Sequence, residues 1–427
     1  MRLTPLAAAL LVAALAPSFA AAMTLDEAIA LAEKTSPAAK IADADQAAAA
    51  ARLAEARSGY LPSVTLQGET GHGPNDLGGF FGFKKKDTNP RAVSLEAREH
   101  LFTGGAVQAG VEAARAGDQA ARHGALSARE ALAVNVAEVY GGVLAAEALY
   151  AATAKYRDEV GVIAGQAKLR FNAGEIPRSE LAKAEARAAE ARAAYAKAQS
   201  GLAVAREAFR ALVGEAPDHL DTPISRAAAS LDVEAALAEA ERGNEALAAA
   251  RDAWKAAKAG VRRAQAEHLP MVDLTASTSS VRDQFFPGYR SDATVVGVQG
   301  RWTLFAGGGI SARVAEARAA ERKAAAEFDA AERGLRVQVA GAVTGLDAAQ
   351  RSLDAAHDQA LAADVALDSL RHETRVGQKT TADLLDGERE ALSAAAAEIA
   401  ARADLLAAGL RLDLTLGRRA WTNAVAK

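Results

Sequence analysis

The 427-residue chain has no cysteine, which excludes disulfides, thiolate metal sites, cysteine nucleophiles and the acylated cysteine of a lipoprotein. Aromatic residues make up only 5% of it, too few for the ring-filled cores of the two or three globular domains this length normally holds. An excess of either charge is also missing. Lys and Arg total 50 against 54 Asp and Glu, so no basic surplus exists to meet phosphates and a nucleic-acid partner is excluded. The seven histidines show no metal-ligand pairing, and Gly78-Gly79 ahead of Lys84-Lys85-Lys86 lacks the spacing of a phosphate loop. No nucleophile–base pair can be assembled, so neither a cofactor nor enzymatic activity is expected. Abundant instead are Ala, Glu, Arg, Lys and Leu, the composition of long packed helices.

Met1-Arg2 followed by an apolar run from Leu6 to Ala16 and small residues near Ala20 and Ala22 predicts a signal peptide over 1–22, cleaved after one of those alanines. The run is shorter than the ~20 residues of a spanning helix. No later stretch is expected to span a membrane as a helix. The mature chain is therefore either soluble in the periplasm or enters a membrane as strands.

The mature chain is one unit written twice. Tyr60-Leu61-Pro62 recurs as His268-Leu269-Pro270, 208 positions on, and Leu101-Phe102-Thr103-Gly104-Gly105 recurs as Leu304-Phe305-Ala306-Gly307-Gly308, 203 positions on. Gly174, Leu181 and Gly214 map onto Gly377, Leu384 and Gly417 at the same 203 offset. The first unit is placed at 23–214 and the second at 230–417. Between them lies a connection, 215–229, and after them a tail, 418–427, both expected outside the main walls. Each unit reads as helix, strand, loop, strand, long helix, turn, helix. Helices are expected over Thr24–Ser58, Gly104 to about Arg170 and Arg178–Leu212, and again over Leu231–Glu267, Gly309–Arg375 and Thr380–Leu416. At 1.5 Å per residue the long helices reach ~100 Å, and the two shorter ones laid end to end match them.

Strands alternating apolar with polar are expected at about 63–72, 91–101, 271–281 and 292–304. Their length suits either tilted membrane strands or an ordinary soluble sheet. The loops between them, around Phe80–Lys86 and Phe285–Tyr289, read as mobile tips facing solvent or lipopolysaccharide. Trp302 and Phe102, near strand ends, are candidates for an aromatic girdle or for packing anchors. Four strands cannot close a barrel, and open sheet edges in lipid leave backbone groups unpaired at several kcal/mol each. If the strands lie in lipid, several copies must share one barrel. Eight strands leave no aqueous lumen, whereas twelve, from a homotrimer, do.

The leader, the duplicated unit, the two Leu-Phe-x-Gly-Gly junctions and the turns at Arg170–Ile176 and Arg375–Asp386 together resemble the outer membrane efflux protein family over essentially the whole mature chain. The resemblance implies a mainly α fold with a membrane β-barrel portion. In it, a trimeric helical barrel in the periplasm is continuous with a 12-stranded barrel in the outer membrane. It also implies an exit channel for efflux or type I secretion, partnered by a periplasmic adaptor (membrane fusion) protein and an inner-membrane transporter. By the same resemblance Asp383 and Asp386 match the acidic channel constriction, Lys379 and Glu180 the contacts that tie the two tips shut, and Gly174 and Gly377 the adaptor-contacting turns. An aromatic position of the family falls on Thr374. A periplasmic adaptor or a soluble helical scaffold is the alternative.

Overall fold

The computed structural model describes residues 22–79, 82, 85–222 and 232–418. The predicted leader up to residue 21, Phe80, Phe81, Phe83 and Lys84 of the first loop, 223–231 of the connection and the tail after Arg418 lie outside the described residues.

The first unit comprises α1 (Leu25–Thr35), α2 (Pro37–Ser58), β1 (Ser63–Thr70), β2 (Gly73–Asn75), β3 (Lys86–Thr88), β4 (Arg91–Phe102), α3 (Ala106–Asn172) and α4 (Arg178–Val213). The second comprises α5 (Val233–Gly243), α6 (Glu245–Ala266), β5 (Met271–Arg282), β6 (Arg290–Arg301), α7 (Gly309–Arg375) and α8 (Thr381–Thr415). Both α3 and α7 run unbroken for 67 residues. Each starts at a left-handed glycine, Gly105 (φ 85°) or Gly308 (φ 84°), and the glycine before each is left-handed too. Two consecutive residues at positive φ turn the chain from sheet to helix, a path that side chains disfavour, so both motifs end in Gly-Gly.

The single helices expected at the start of each unit are in fact broken. Ser36 ends α1 and caps α2 with its own side chain, with Pro37 at the first helical position, where its missing N–H costs nothing. Asn244 does the same between α5 and α6, its side chain accepting from the Leu247 N–H at 3.0 Å. The helices that return from the tips end at these kinks. The Thr35 hydroxyl donates to the Val213 carbonyl at 2.8 Å, and in the second unit Gly417 lies against Gly243, backbone on backbone.

β1, β4, β5 and β6 form one antiparallel sheet in that order, leaving β1 and β6 as edges. The helices keep the same order. α2 packs on α3, α3 on α6 and α6 on α7, while towards the tips α4 packs on α3, α3 on α8 and α8 on α7. The result is a helical wall one layer thick, edged by α2 and α4 on one side and α7 on the other. Apolar side chains remain exposed along those edges: Ile41 on α2, Val204 on α4, and Val337, Leu361 and Val365 on α7.

Alanine dominates the buried contacts, which lets the helices approach closely. Bulkier cores form where α1 and α5 add a further helix. In the first unit Ile29, Leu132, Val136, Tyr140, Phe209 and Val213 pack together. The Tyr140 hydroxyl donates to the carbonyls of Met23 (2.8 Å) and Asp221 (2.7 Å), and a bridge joins Met23 to Leu220. The described start of the connection is thus strapped to the first unit. Burial, with the Asp221 charge adding to it, pushes the Tyr140 hydroxyl up to about 12. One stretch of α3 is apolar enough to cross a membrane by length and composition, contrary to the sequence expectation. Less than half of that stretch is buried; Leu132, Val136 and Val143 of α3 belong to the core shared with α1 and α4.

The first loop also differs from the mobile tip expected. β2 and β3 extend it as a short ribbon, and the Asn75 amide donates to the carbonyls of Gln284 (3.2 Å) and Phe285 (3.1 Å) in the second loop. Phe285 and Phe286 both meet Tyr289 edge to face.

Candidate functional site

Two features of the fold can act on a passing solute: the sheet with its two distinct faces, and the tips where α3 meets α4 and α7 meets α8.

Register aligns the alternation of all four strands. On one face Val64 and Leu66 of β1 lie opposite Ala97 and Leu95 of β4; those face Ala276 and Thr278 of β5, which face Val296 and Thr294 of β6. On the other face the corresponding rows are Thr65, Glu96 and Ser277, and Arg98 with Thr275. One face is apolar and exposed apart from Glu99 opposite Leu274, and the other is polar apart from Val295 opposite Ser277, the division that a sheet between lipid and water requires. A bulge between His100 and Phe102 changes the phase at the helix end. His100 stays on the polar face, its Nδ1 2.7 Å from Asp273 Oδ1, while Phe102 lands opposite Val272 on the apolar face. Tyr60, Leu61, Phe102, Leu269, Trp302 and Phe305 are all exposed near the junctions with the helices.

The two tip turns share one geometry. Gly174 and Gly377 both have φ 79°. At the first turn the Gly174 N–H bonds the Phe171 carbonyl and the Glu175 N–H the Arg170 carbonyl, both at 2.9 Å. At the second, Gly377 bonds Thr374 (3.2 Å) and Gln378 bonds Glu373 (2.9 Å). This double bond pattern ends a helix on a left-handed residue, and glycine takes that place at least cost.

Asp383 and Asp386 are one turn apart on α8 and both exposed. Asp383 closes a capping box: the Thr380 hydroxyl accepts from the Asp383 N–H, and the Asp383 carboxylate accepts from the Thr380 N–H at 3.0 Å. Hydrogen bonds from the Thr380 backbone and hydroxyl, with Lys379 nearby, hold Asp383 below the usual carboxylate range. Asp386 accepts from Arg187 of α4 at 2.8 Å. Among the described residues Lys379 and Glu180 form no ion pair with one another within the protomer. Lys379 is exposed, and Glu180 sits half-buried in the first turn of α4.

Sequence reasoning missed the most buried charge of the region, Glu388, and its partners. Arg371 of α7 bridges Glu159 of α3 (2.6 Å) and Glu388 of α8 (2.8 Å). Glu388 is 3% exposed. Burial first, then hydrogen bonding to Glu159, pushes its carboxyl up to about 7, and Arg371 only partly offsets this. The three charges line a groove of about 830 Å³ with Val162, Thr374 and Gly377. The Thr374 hydroxyl is buried there without a hydrogen-bond partner among the described residues. The hairpin held a usable signal, because the turn at Gly377 folds α7 and α8 back on one another and brings Leu370 and Arg371 against Gly387 and Glu388. Arg187 carried no such signal, since it reaches Asp386 from a different hairpin.

A sheet with one apolar and one polar face, continued strand by strand into a wall of ~100 Å helices, defines a protein that lines a duct from a membrane into the adjoining aqueous space. The family model described as outer membrane efflux protein matches residues 11–215 and 236–418, and the chain belongs to that family. It is 25% identical over 389 residues to the outer membrane protein TolC of Escherichia coli, covering 85% of this chain and 76% of that one. It is 28% identical over 255 residues to the outer membrane efflux protein BepC of Brucella suis, across 59% of this chain but only 56% of BepC. The CmeC outer membrane channel of Campylobacter jejuni superposes with a TM-score of 0.82 at 15% identity, covering 94% of this chain and 88% of that one. The chain is thus a TolC-like outer-membrane channel protein whose helices form a large periplasmic portion. The hairpin ends of the strands accordingly face the cell exterior.

Proposed function

We propose that three copies of the chain close into one barrel and form an exit channel for efflux or type I secretion, working with a periplasmic adaptor and an inner-membrane transporter. The observation that carries this is the pair of unpaired edges, β1 and β6, on a sheet whose outer face is apolar. In lipid those edges must be bonded, and a neighbour's β6 against β1 bonds them without a new element. The helical wall supports the same closure, since its exposed apolar edges, α2 and α4 on one side and α7 on the other, follow the strand order. In this reading residues 1–22 are the removed leader and 23–214 and 230–417 the two units of the wall.

Asp383 and Asp386 are the constriction. Threefold repetition sets six carboxylates around one aperture, where they attract cations. Arg187 and the Arg371–Glu159–Glu388 cluster hold α8 against α4, α3 and α7, which fixes where that ring sits. Lys379 and Glu180 tie the second tip to the first, and the turns at Gly174 and Gly377 meet the adaptor. Energy comes from the inner-membrane transporter.

Bilayer conductance of the purified protein, together with its mass in detergent, tests the reading. A trimeric mass and cation-selective channels blocked by divalent ions are expected, with the block lost in Asp383→Asn/Asp386→Asn. A monomer without conductance would end the channel proposal. A trimer whose block survives the double substitution would end the gate assignment alone.

A further inference from the structure

At the exterior end of the sheet, cross-strand register brings three arginines into one row. Arg91 of β4 lies opposite Arg282 of β5, and Arg282 lies opposite Arg290 of β6. Counting along β4, Arg91 shares its face with Val93, Leu95 and Ala97, so the row belongs to the apolar, outward side of the sheet. It terminates that side.

Like charges directly opposite each other across strands are destabilising, and the sheet offsets this row only in part. Its one carboxylate partner among the described residues is Asp292, a rung closer to the membrane centre, which pairs with Arg282 at 2.9 Å. Arg91 and Arg290 are exposed. Glu69, at the same end of β1, falls on the opposite, polar face. Each protomer therefore presents two unbalanced positive charges towards the surrounding lipid.

Height places the row among headgroups. From Arg91 to Leu101 the strand rises about 33 Å, or about 25 Å along the membrane normal at the usual tilt of roughly 40°. That matches the thickness of the apolar band of an outer-membrane barrel. Phe102 and Trp302 mark its periplasmic border, and the arginines mark the outer one. The outer leaflet there consists of lipopolysaccharide, whose lipid A is a phosphorylated disaccharide. At ~4.8 Å between strands, three arginines form a basic row about 10 Å wide. That is the scale of a disaccharide phosphorylated at both ends. Guanidinium groups suit such phosphates because they bind them two-pronged.

We propose that Arg91, Arg282 and Arg290 form an outward-facing site for the phosphates of lipid A, fixing the barrel's depth in the outer leaflet. The site extends the outer-membrane placement and does not depend on how the tips are gated.

Purified full-length protein titrated with bisphosphorylated lipid A, with binding followed by native mass spectrometry, tests it. Arg91→Gln/Arg290→Gln is expected to weaken binding at least tenfold. Arg301→Gln, at the periplasmic end of β6, is expected to leave it within twofold. Lipid A stripped of phosphate, and phosphatidylglycerol, should each bind the native protein at least tenfold more weakly. Equal binding by the double variant, or equal competition by phosphatidylglycerol, would overturn the site. Oligomer mass and conductance of each variant are read alongside, so a barrel that fails to assemble is distinguished from one that assembles without this lipid.

Discussion

The two tip hairpins share a turn and differ in what clamps them. Behind Gly174, the α3–α4 hairpin is held by rings. Tyr150 and Tyr195 share a hydrogen bond at 2.6 Å, Arg157 lies 4.1 Å over the Tyr195 ring, and Tyr156 packs with Val160, Ile163 and Ile176. Behind Gly377, no ring pair joins α7 to α8 among the described residues, and that hairpin is held by the Thr380–Asp383 box and the Arg371–Glu388 pair. Ring packing is indifferent to protons, whereas a buried carboxylate is not. One backbone thus supports a fixed clamp in the first unit and an adjustable one in the second.

The largest effect should come from breaking the fixed clamp. Tyr156→Ala is expected to cost about 3–5 kcal/mol, seen as a lower melting temperature by circular dichroism. Tyr156→Phe sharpens the point: its buried hydroxyl has no hydrogen-bond partner among the described residues, so removing it should leave stability unchanged or slightly higher.

Next comes the adjustable clamp. Arg371→Ala leaves Glu388 and Glu159 uncompensated and should cost about 2 kcal/mol at pH 8, the usual cost of a broken buried pair reduced for partial exposure. The sign with pH follows from Glu388. Its carboxyl is raised above the ordinary 4.5 to about 7, so the folded state holds a proton that the unfolded state has released. Stability at this joint is therefore greatest towards pH 5 and falls as pH rises through 7. Glu388→Gln should flatten that slope and remove most of the pH dependence of Arg371→Ala, and melting curves from pH 5 to 8 read both. A slope unchanged by Glu388→Gln would show that the second hairpin is no more adjustable than the first.

The smallest effect is at the helix start. Thr380→Ala removes one capping oxygen, worth about 1 kcal/mol. Pro177 caps α4 without a side-chain bond, so Pro177→Ala should shift the melting temperature less. Because hydrogen bonds depress Asp383, the box persists at neutral pH and is lost only as pH falls through the lowered value.

Punctuation by glycine and alternation by residue were legible without coordinates, because both are local. The second long helix was placed at Gly309–Arg375, where it lies. The kinks at Ser36 and Asn244 were less legible, since Ala-rich sequence on both sides keeps helical propensity high and a single capping side chain decides the break. Thr380 and Asp383 carried a readable box, yet resemblance directed attention to Asp383 as a pore charge while its carboxylate also caps its own helix. Arg187 and Asp386 are 199 positions apart, and nothing local joins them. The Tyr140 strap was hidden for a similar reason: two backbone carbonyls nearly two hundred residues apart converge on one hydroxyl.

The kinks have a mechanical corollary. Each lies where a returning helix stops, roughly 33 Å from the sheet end, the length of the 22-residue α2 and α6 at 1.5 Å per residue. Beyond that level α4 and α8 belong to the tip hairpins and on the near side α2 and α6 lead into strands, with α1 and α5 packed beside the joint. At this waist only α3 and α7 pass unbroken, so a twist applied at the tips reaches the hydrogen-bonded strands through two continuous helices, while the chain is interrupted in the others.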